Sequence, residues 1–275
     1  MAPIIRISIE GPVASLKTTL LKKFRECKNI DTVCEPLKIW RDGRNLFALY
    51  CANPREFAMD FQYLVFQTQK DLLENLKEGR IAILERSGYS SLHVFVAYLY
   101  ARDYLSYAQQ AGFSRLYGDL MGSHSLRHHI YLTSNPDVSF QRCQERGSED
   151  MVWSLDYHET IANQHKLLMN HLIMINHQVV IIKTDMERKF TDAIFQELAA
   201  IFRDGDWETI SAFFAIYMAK QITDYVNITD IQAFRIERGI PLKERTLSCS
   251  SSMIATLFFM AAMAIAILAR LYGKL

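Results

Sequence analysis

Apolar and polar residues follow two different periods along the first 204 residues. Short runs of β-branched and aliphatic residues predict buried strands at 4–10, 29–36, 80–87, 128–136 and 178–185. Apolar residues at helical spacing predict helices at 18–27, 55–78, 90–110, 137–146, 155–176 and 190–204. Apolar strands that alternate with helices are typical of a parallel sheet covered on both faces. The pattern therefore predicts a three-layer α/β domain over 1–204, with a five-stranded parallel sheet.

The character of the chain changes after residue 204. Residues 207–226 are amphipathic and predict a helix, while the charged stretch 236–252 contains proline and serine and is typical of a linker. We therefore assign a helical extension and linker to 205–247. Residues 253–269 carry no charged side chain, and a membrane-spanning helix needs about 17 to 25 such residues. We expect a transmembrane tail anchor over 248–275, with a buried core helix as the alternative.

The first ten residues are too short and too charged for a signal peptide. A tail anchor without a signal peptide predicts a protein at the cytosolic face of an intracellular membrane, either the mitochondrial outer membrane or the endoplasmic reticulum. The five cysteines are odd in number and form no CxxC pair, which predicts reduced thiols rather than a zinc site or a disulfide framework. The formal net charge of +1 gives no field that would attract nucleic acid, so local groups must hold any anionic ligand.

The segment GPVASLKT, residues 11–18, lies between the first predicted strand and the first predicted helix. Gly11, Lys17 and Thr18 occupy the first glycine, the lysine and the hydroxyl positions of a phosphate-binding loop, or P-loop. In such a loop, backbone N–H groups and a helix N-terminus face phosphate oxygens. Leu16 stands where the pattern has glycine, whose missing side chain lets the backbone approach the phosphate. From these residues alone, an ordinary strand–turn–helix is the alternative.

Five further segments, taken in order, carry a family resemblance. They are ISIEG with KTTL within 7–20, EPLKIW at 35–40, DFQYL at 60–64, ERSGYSS at 85–91 and IYLTSNPDVSFQRCQERGSED at 130–150. Over roughly residues 4–200 this series resembles the deoxynucleoside kinase family, which includes deoxycytidine, deoxyguanosine and mitochondrial-type thymidine kinases. The resemblance implies a P-loop kinase fold, ATP and a deoxynucleoside as ligands, Mg²⁺ as cofactor, no nucleic-acid partner and a homodimer.

The resemblance assigns catalytic and phosphate-binding roles. In the family the glutamate of the EP pair takes the proton of the 5′-hydroxyl group, so Glu35 is the expected general base, with Arg86 and Lys17 as its catalytic partners. Thr18 and Glu85 are the expected Mg²⁺ ligands. The residues expected to bind ATP phosphates are Gly11, Lys17, Thr18, Thr19, Arg142 and Arg146. A salt-bridged strand end is the alternative for Glu85 and Arg86. Without the family, a solvated helix end is an equal alternative for Arg142 and Arg146.

The resemblance also implies a nucleoside site. Tyr50 matches a tyrosine that binds the 3′-hydroxyl group, and Asp150 a carboxylate with the same contact in a shortened segment. Gln62 matches a glutamine whose amide, both donor and acceptor, reads the base edge. The full expected set is Glu35, Trp40, Tyr50, Phe61, Gln62, Arg86 and Asp150. For Phe61 and Phe66, on the same predicted helix, ordinary core packing is an equal alternative.

Gln69 and Ser91 bear on the choice of base, because members that prefer cytidine carry arginine and aspartate there. Their identity favours thymidine or broad pyrimidine use. The sequence thus predicts an ATP-dependent deoxynucleoside kinase. The rival is a catalytically impaired, membrane-anchored relative that acts by binding or assembly, which Leu16 and the apolar tail favour. A nucleoside monophosphate kinase shares the loop, but EPLKIW and DFQ fit nucleoside kinases better.

Overall fold

Five parallel strands form the centre of the molecule, which confirms the predicted fold class. The computed structural model describes residues 5–77, 79–122, 126–147, 149–218 and 225–242. The strands are β1 Ile5–Glu10, β2 Ile30–Val33, β3 Ile81–Glu85, β4 His128–Thr133 and β5 Gln178–Lys183. They lie side by side in the order β2-β3-β1-β4-β5. Their carboxyl ends meet at one edge of the sheet, where ligands bind in folds of this kind.

Helices cover both faces of the sheet. Between the strands they are α1 Lys17–Phe24, α2 Leu37–Arg41, α3 Leu46–Ala52, α4 Pro54–Glu74, α5 Gly88–Ser90, α6 Ala97–Ala101, α7 Tyr107–Gly122, α8 Pro136–Arg146 and α9 Leu155–Met174. After β5 come α10 Arg188–Asp204, α11 Trp207–Tyr217 and α12 Ile228–Glu237. A π-helical segment, Ser91–Val96, joins α5 to α6, and a 3-10 turn, Glu149–Val152, follows α8.

A cluster of buried apolar side chains lies on each face of the sheet. Ile7 and Ile9 of β1 belong to the cluster that packs with α1, α10, α11 and α12. The other cluster contains Tyr131 of β4 and packs with α4, α7 and α9. Because successive side chains of a strand point to opposite faces, Ser8 and Glu10 point away from Ile7 and Ile9. Both are fully buried, so β1 places two polar groups on the second face.

The predicted helix over 90–110 is wrong in its extent. The helical run ends at Ala101, and a new helix, α7, begins at Tyr107. The backbone between them turns at Asp103, where φ is 57°. Ser106 and Gln109 then form a capping box: the Ser106 hydroxyl accepts from the Gln109 N–H, and the Gln109 side chain accepts from the Ser106 N–H. The apolar period continues across this break, which hides it from a periodicity argument.

The helical extension packs against the α/β core. Phe213 and Phe214 of α11 and Phe234 of α12 are buried in the same cluster as β1. A buried ion pair between Arg235 of α12 and Glu197 of α10 joins the two helices. The described residues up to Ile240 therefore form one compact unit.

No helix within the described ranges has both the length and the apolar composition to cross a bilayer. The tail anchor expected over 248–275 lies outside the described residues, so it stays a prediction from sequence. Four cysteines, Cys27, Cys34, Cys51 and Cys143, fall within the described ranges, and each is a free thiol.

Candidate functional site

A cavity of about 890 Å³ opens at the carboxyl edge of the sheet. All of the site residues expected from the sequence line it except Gly11. The loop after β1 and the start of α1 form one end, and the helices α2, α3 and α4 form the other. The strand ends of β2 and β3 bring Glu35, Glu85 and Arg86 between these two ends.

Gly11 follows β1 and begins the loop, and it does not line the cavity itself. Its φ of 146° is a conformation that side chains rarely adopt, and an added Cβ would lie 2.3 Å from the Leu132 carbonyl oxygen and 2.7 Å from Ser15 Oγ. The Leu132 carbonyl oxygen cannot move away, because it belongs to the backbone of the central strand β4. Glycine is therefore required here for the chain to turn from β1 into the loop.

Leu16 adopts a left-handed backbone conformation, with φ 71° and ψ 20°, immediately before α1. Its carbonyl oxygen accepts the first hydrogen bond of the helix, from the Leu20 N–H at 3.0 Å. Its side chain borders the cavity and also packs, partly buried, against the cluster on the α1 and α10 face. The left-handed conformation costs a non-glycine residue about 1 kcal/mol, so Leu16 carries strain that glycine would not.

Lys17 is buried at the floor of the loop. Its Nζ donates to the carbonyl oxygens of Pro12 at 2.7 Å and Gly11 at 3.2 Å. Burial and, to a smaller extent, the nearby positive charge of Arg86 lower the pKa of Lys17 to about 7, against the opposing effect of the Glu35 carboxylate. An ammonium group held this close to a loop of backbone N–H groups has the chemistry to contact phosphate oxygens.

Thr18 and Glu85 meet across the start of α1 and the end of β3. The Thr18 hydroxyl donates to Glu85 Oε1 at 2.6 Å, and burial, followed by the negative charge of Glu35, raises the pKa of Glu85. The described part of the chain contains no group of three or more His, Cys, Asp or Glu side chains that could hold a metal. Mg²⁺ commonly takes one or two protein oxygens and completes its shell with phosphate and water, so this oxygen pair fits it.

Arg86 links the loop to the expected general base. Its Nε lies 2.5 Å from Glu35 Oε1, and its Nη1 donates to the Gly11 carbonyl oxygen at 3.1 Å. The guanidinium group also stacks over the Phe95 ring, 4.6 Å from its centroid, and reaches His165 at 3.4 Å. Since Arg86 is only 9% exposed, these contacts fix its plane and with it the position of the Glu35 carboxylate.

Aromatic rings form the wall of the expected nucleoside end. Tyr50 stacks on Phe61 with centroids 4.6 Å apart, and Trp40 meets the same ring edge-on at 5.4 Å. The Trp40 indole N–H donates to Thr68 Oγ1 at 3.1 Å. Phe66 lies elsewhere, stacked on Phe113 at 5.6 Å. Phe61 therefore lines the cavity, whereas Phe66 packs in the core.

Polar groups on α4 and at the start of the π-helical segment line the same cavity. Gln62 is 2% exposed, and its Oε1 has no hydrogen-bond partner among the described residues. Ser91 donates to Gln69 Oε1 at 3.1 Å. A buried amide oxygen without a partner costs free energy, so Gln62 is poised to accept a hydrogen bond from a ligand.

The arginines of α8 are held in different ways. Arg142 Nη2 donates to the Thr184 carbonyl oxygen at 2.6 Å, and burial lowers the pKa of Arg142. Arg146 forms an ion pair with Asp150 one turn later. The structure therefore places the Asp150 carboxylate, expected to contact a ligand hydroxyl group, against an arginine expected to bind phosphate.

Further side chains at and beside the cavity were not anticipated from the sequence. Trp153 stacks on Tyr157 with centroids 4.5 Å apart and lies 5.5 Å from the Tyr50 ring. Arg41 forms a bidentate ion pair with Glu149, at 2.9 and 2.6 Å. Arg41 directly follows Trp40 and Glu149 directly precedes Asp150, but their sequence separation of 108 residues gave no signal of the contact.

Comparison with known proteins gives consistent matches. A family model described as deoxynucleoside kinase matches residues 7–201. The chain is 28% identical to the mitochondrial thymidine kinase 2 of Homo sapiens over 191 residues, which cover 66% of this chain and 72% of that protein. It is 28% identical to the putative kinase protein 029R of Invertebrate iridescent virus 3 over 176 residues, 62% of this chain and 79% of that one. The mitochondrial deoxyguanosine kinase of Xenopus laevis is 26% identical over 189 residues, which cover 58% of this chain and 71% of that protein.

Proposed function

The chain belongs to the deoxynucleoside kinase family, and on that premise we propose that it transfers the γ-phosphate of ATP to the 5′-hydroxyl group of a deoxynucleoside. The observation that carries the proposal is the Glu35–Arg86 ion pair beside the P-loop. This pair lines the same cavity as the aromatic wall and as Lys17, the second cationic side chain, which lies at the floor of the loop.

In the proposed reaction the 5′-oxygen bonds to the γ-phosphorus while the bond to the bridging oxygen of ADP breaks. Glu35 accepts the hydroxyl proton, and it does so late, because phosphoryl transfer needs a positioned nucleophile more than a strong base. Lys17 and Arg86 stabilise the negative charge on the transferring group. Arg142 and Arg146 line the same cavity and are proposed to add to this stabilisation.

Thr18 and Glu85 are the proposed ligands of Mg²⁺, supported by their direct contact at 2.6 Å. A bound ion would neutralise part of the negative charge on the phosphate groups of ATP. Within the chain, Glu85 also keeps the Thr18 hydroxyl at the N-terminus of α1, where it faces the loop.

We propose thymidine, or pyrimidine deoxynucleosides in general, as the acceptor. The unpartnered Oε1 of Gln62 supports this, since it can accept from the N3–H group of thymine while the amide N–H₂ donates to a base carbonyl. The uncharged pair Gln69 and Ser91 supports it as well, because their direct hydrogen bond presents no charge to the base.

Steady-state turnover with Mg-ATP and each of the four deoxynucleosides tests the activity. Lys17→Ala and Glu35→Gln are expected to lower kcat by about 100-fold or more, since each removes charge or proton transfer from the transition state. Lys22→Ala, an exposed lysine one turn further along α1, is the matched control and should keep wild-type turnover. Phosphorylation of thymidine monophosphate but not of thymidine would favour a monophosphate kinase instead.

A catalytically impaired relative that acts by binding or assembly is the second candidate, and Leu16 is the observation that favours it. Its strained backbone and its side chain at the cavity both differ from what glycine provides. Calorimetry with ATP separates the two. Absence of ATP binding in the wild-type protein, together with binding by Leu16→Gly, would support the impaired relative and contradict the kinase.

We also propose that the apolar segment 253–269 anchors the protein to an intracellular membrane, on the strength of its composition alone. Deletion of 253–275 is expected to move the protein from the membrane pellet to the supernatant. A full-length protein recovered in the supernatant without detergent would contradict this.

The family resemblance further leads us to propose a homodimer. Met59 and Tyr63 of α4 are large apolar side chains that are 41% and 52% exposed, which supports helix–helix association on that face. Sedimentation velocity of the chain without 253–275 should give twice the monomer mass, and Tyr63→Lys should shift it toward the monomer.

A further inference from the structure

Glu10 is a fully buried carboxyl group that the proposed reaction does not use. It is the last residue of β1 and points to the face of the sheet opposite Ile9. Its Oε1 accepts a hydrogen bond from the Ser87 hydroxyl at 2.5 Å, and its Oε2 is buried with no partner among the described residues. Burial raises the pKa of Glu10, and Ser87, Ser8 and Arg86 each act in the opposite direction. Burial of a carboxyl group costs free energy, so the position of Glu10 needs a physical explanation.

The hydrogen bond from Ser87 holds a strained turn. Arg86, the preceding residue, has φ 68°, a left-handed conformation that is strained for a residue with a side chain. Such a conformation persists only where the surroundings fix it. On one side of the turn the Arg86 N–H donates to the Ile9 carbonyl oxygen at 3.0 Å. On the other side Ser87 caps α5 and binds Glu10.

The direction of the Arg86 side chain follows from this turn. Its guanidinium group reaches both Glu35, at 2.5 Å, and the Gly11 carbonyl oxygen, at 3.1 Å. Gly11 is also the residue that follows Glu10. β1 therefore holds both sides of the turn, through the Ile9 carbonyl oxygen and the Glu10 carboxyl group, and Gly11, the residue after β1, accepts from the guanidinium group.

We propose that Glu10 is a positioning residue for phosphoryl transfer, which acts through the Ser87 hydroxyl group to fix Arg86 and thereby the carboxylate of Glu35. The inference rests on the proposed function, because it concerns the geometry of that site. Glu10 does not contact the reacting atoms in this account. Its effect is the alignment of two groups that do, and a displacement of about 1 Å at such groups can lower a rate by about 100-fold.

Kinetics of matched variants test the alignment. Glu10→Met and Ser87→Ala each remove the hydrogen bond, and both are expected to lower kcat at least about tenfold with the KM values for ATP and nucleoside within about twofold. Glu10→Gln keeps an acceptor oxygen and Ser87→Thr keeps the hydroxyl group, so both should stay within about threefold of wild type. The double variant Glu10→Met/Ser87→Ala should be no slower than either single variant, since both break the same link.

The control is Glu197→Gln, which alters another buried carboxylate on the opposite face of the sheet. It is expected to lower the unfolding temperature and leave kcat unchanged, which is what a purely structural role of Glu10 would also give. Unchanged kcat in folded Glu10→Met and Ser87→Ala, or full additivity in the double variant, would overturn the proposal. If Glu10→Met does not fold, the kcat of Ser87→Ala compared with that of Ser87→Thr tests the proposal.

A spectroscopic measurement keeps the inference separate from the activity itself. The Nε atom of Arg86 lies 2.5 Å from a carboxylate oxygen of Glu35, so its ¹H–¹⁵N resonance reports on the relative position of the two groups, and Arg86→Lys assigns it. Glu10→Met and Ser87→Ala should displace this resonance, whereas Glu197→Gln should not. A wild-type protein without turnover would defeat the proposed function while this resonance still tested the alignment. An unmoved resonance in both variants would overturn the alignment alone.

Discussion

Backbone strain collects around the loop that faces the cavity. Ala14, Leu16 and Arg86 have φ values of 57°, 71° and 68°, and all three line the cavity. Each left-handed conformation costs about 1 kcal/mol relative to glycine. Strain of this kind is concentrated at functional sites, where the surrounding structure holds it in place. At the residue scale, Leu16 thus combines a strained backbone with a side chain that borders the cavity.

Leu16→Gly and Ala14→Gly separate these two effects. Both relieve a positive φ at the cavity, but only Leu16→Gly removes a large side chain that packs against the apolar cluster. We expect Ala14→Gly to raise the free energy of unfolding by about 0.5 kcal/mol and Leu16→Gly to lower it by about 1 kcal/mol, because the lost burial exceeds the strain relieved. Urea unfolding measures both.

The same two variants report on phosphate access. Leu16→Gly is expected to lower the dissociation constant for ATP about tenfold, and Ala14→Gly to leave it unchanged, as measured by calorimetry. Equal affinity in the wild type and in Leu16→Gly would mean that the leucine side chain lies clear of the phosphates. Its role would then be confined to packing on the α1 and α10 face.

At the scale of elements, the sequence pattern predicts the strands and their shared edge well. Parallel strands end at one edge of the sheet, and Glu35, Glu85 and Arg86 lie together there, although the Thr18–Glu85 contact spans 67 residues. The pattern does not predict the short helices α2 and α3, which are too brief to show a period. It also fails for contacts between side chains far apart in sequence, such as Arg41 with Glu149, because nothing local encodes them.

The helix α12 depends on one buried ion pair with α10. Arg235 is 2% exposed and binds Glu197, which also accepts from Gln232 at 3.3 Å. Removal of one partner leaves a buried charge, so Arg235→Ala is expected to lower the free energy of unfolding by about 3–5 kcal/mol. The double change Arg235→Leu/Glu197→Met removes both charges and should cost about 1 kcal/mol. Urea unfolding that gives equal losses for both variants would show that packing, not the charge pair, holds α12.

We expect buried histidines to determine how the free energy of unfolding depends on pH. Burial lowers the pKa of His128 to about 4, and it lowers the pKa of His129 and of His165 well below the ordinary value. Unfolded histidines bind a proton near pH 6.5, whereas these do so only at lower pH in the folded protein. The stability they contribute is therefore present above about pH 6.5 and is lost as pH falls toward 4. Glu10 and Glu85, whose pKa values are raised by burial, act in the opposite direction.

We expect the histidines to dominate, because His129 and His165 are fully buried and cannot be charged without water. The free energy of unfolding from urea titrations should then fall by about 1–2 kcal/mol per pH unit between pH 6.5 and 5. His128→Gln, which removes the ring packed against Trp207 and Phe214, should reduce this loss by about 1 kcal/mol at pH 5. A stability that rises toward pH 5 would instead assign the pH dependence to Glu10 and Glu85, whose proton uptake favours the folded state.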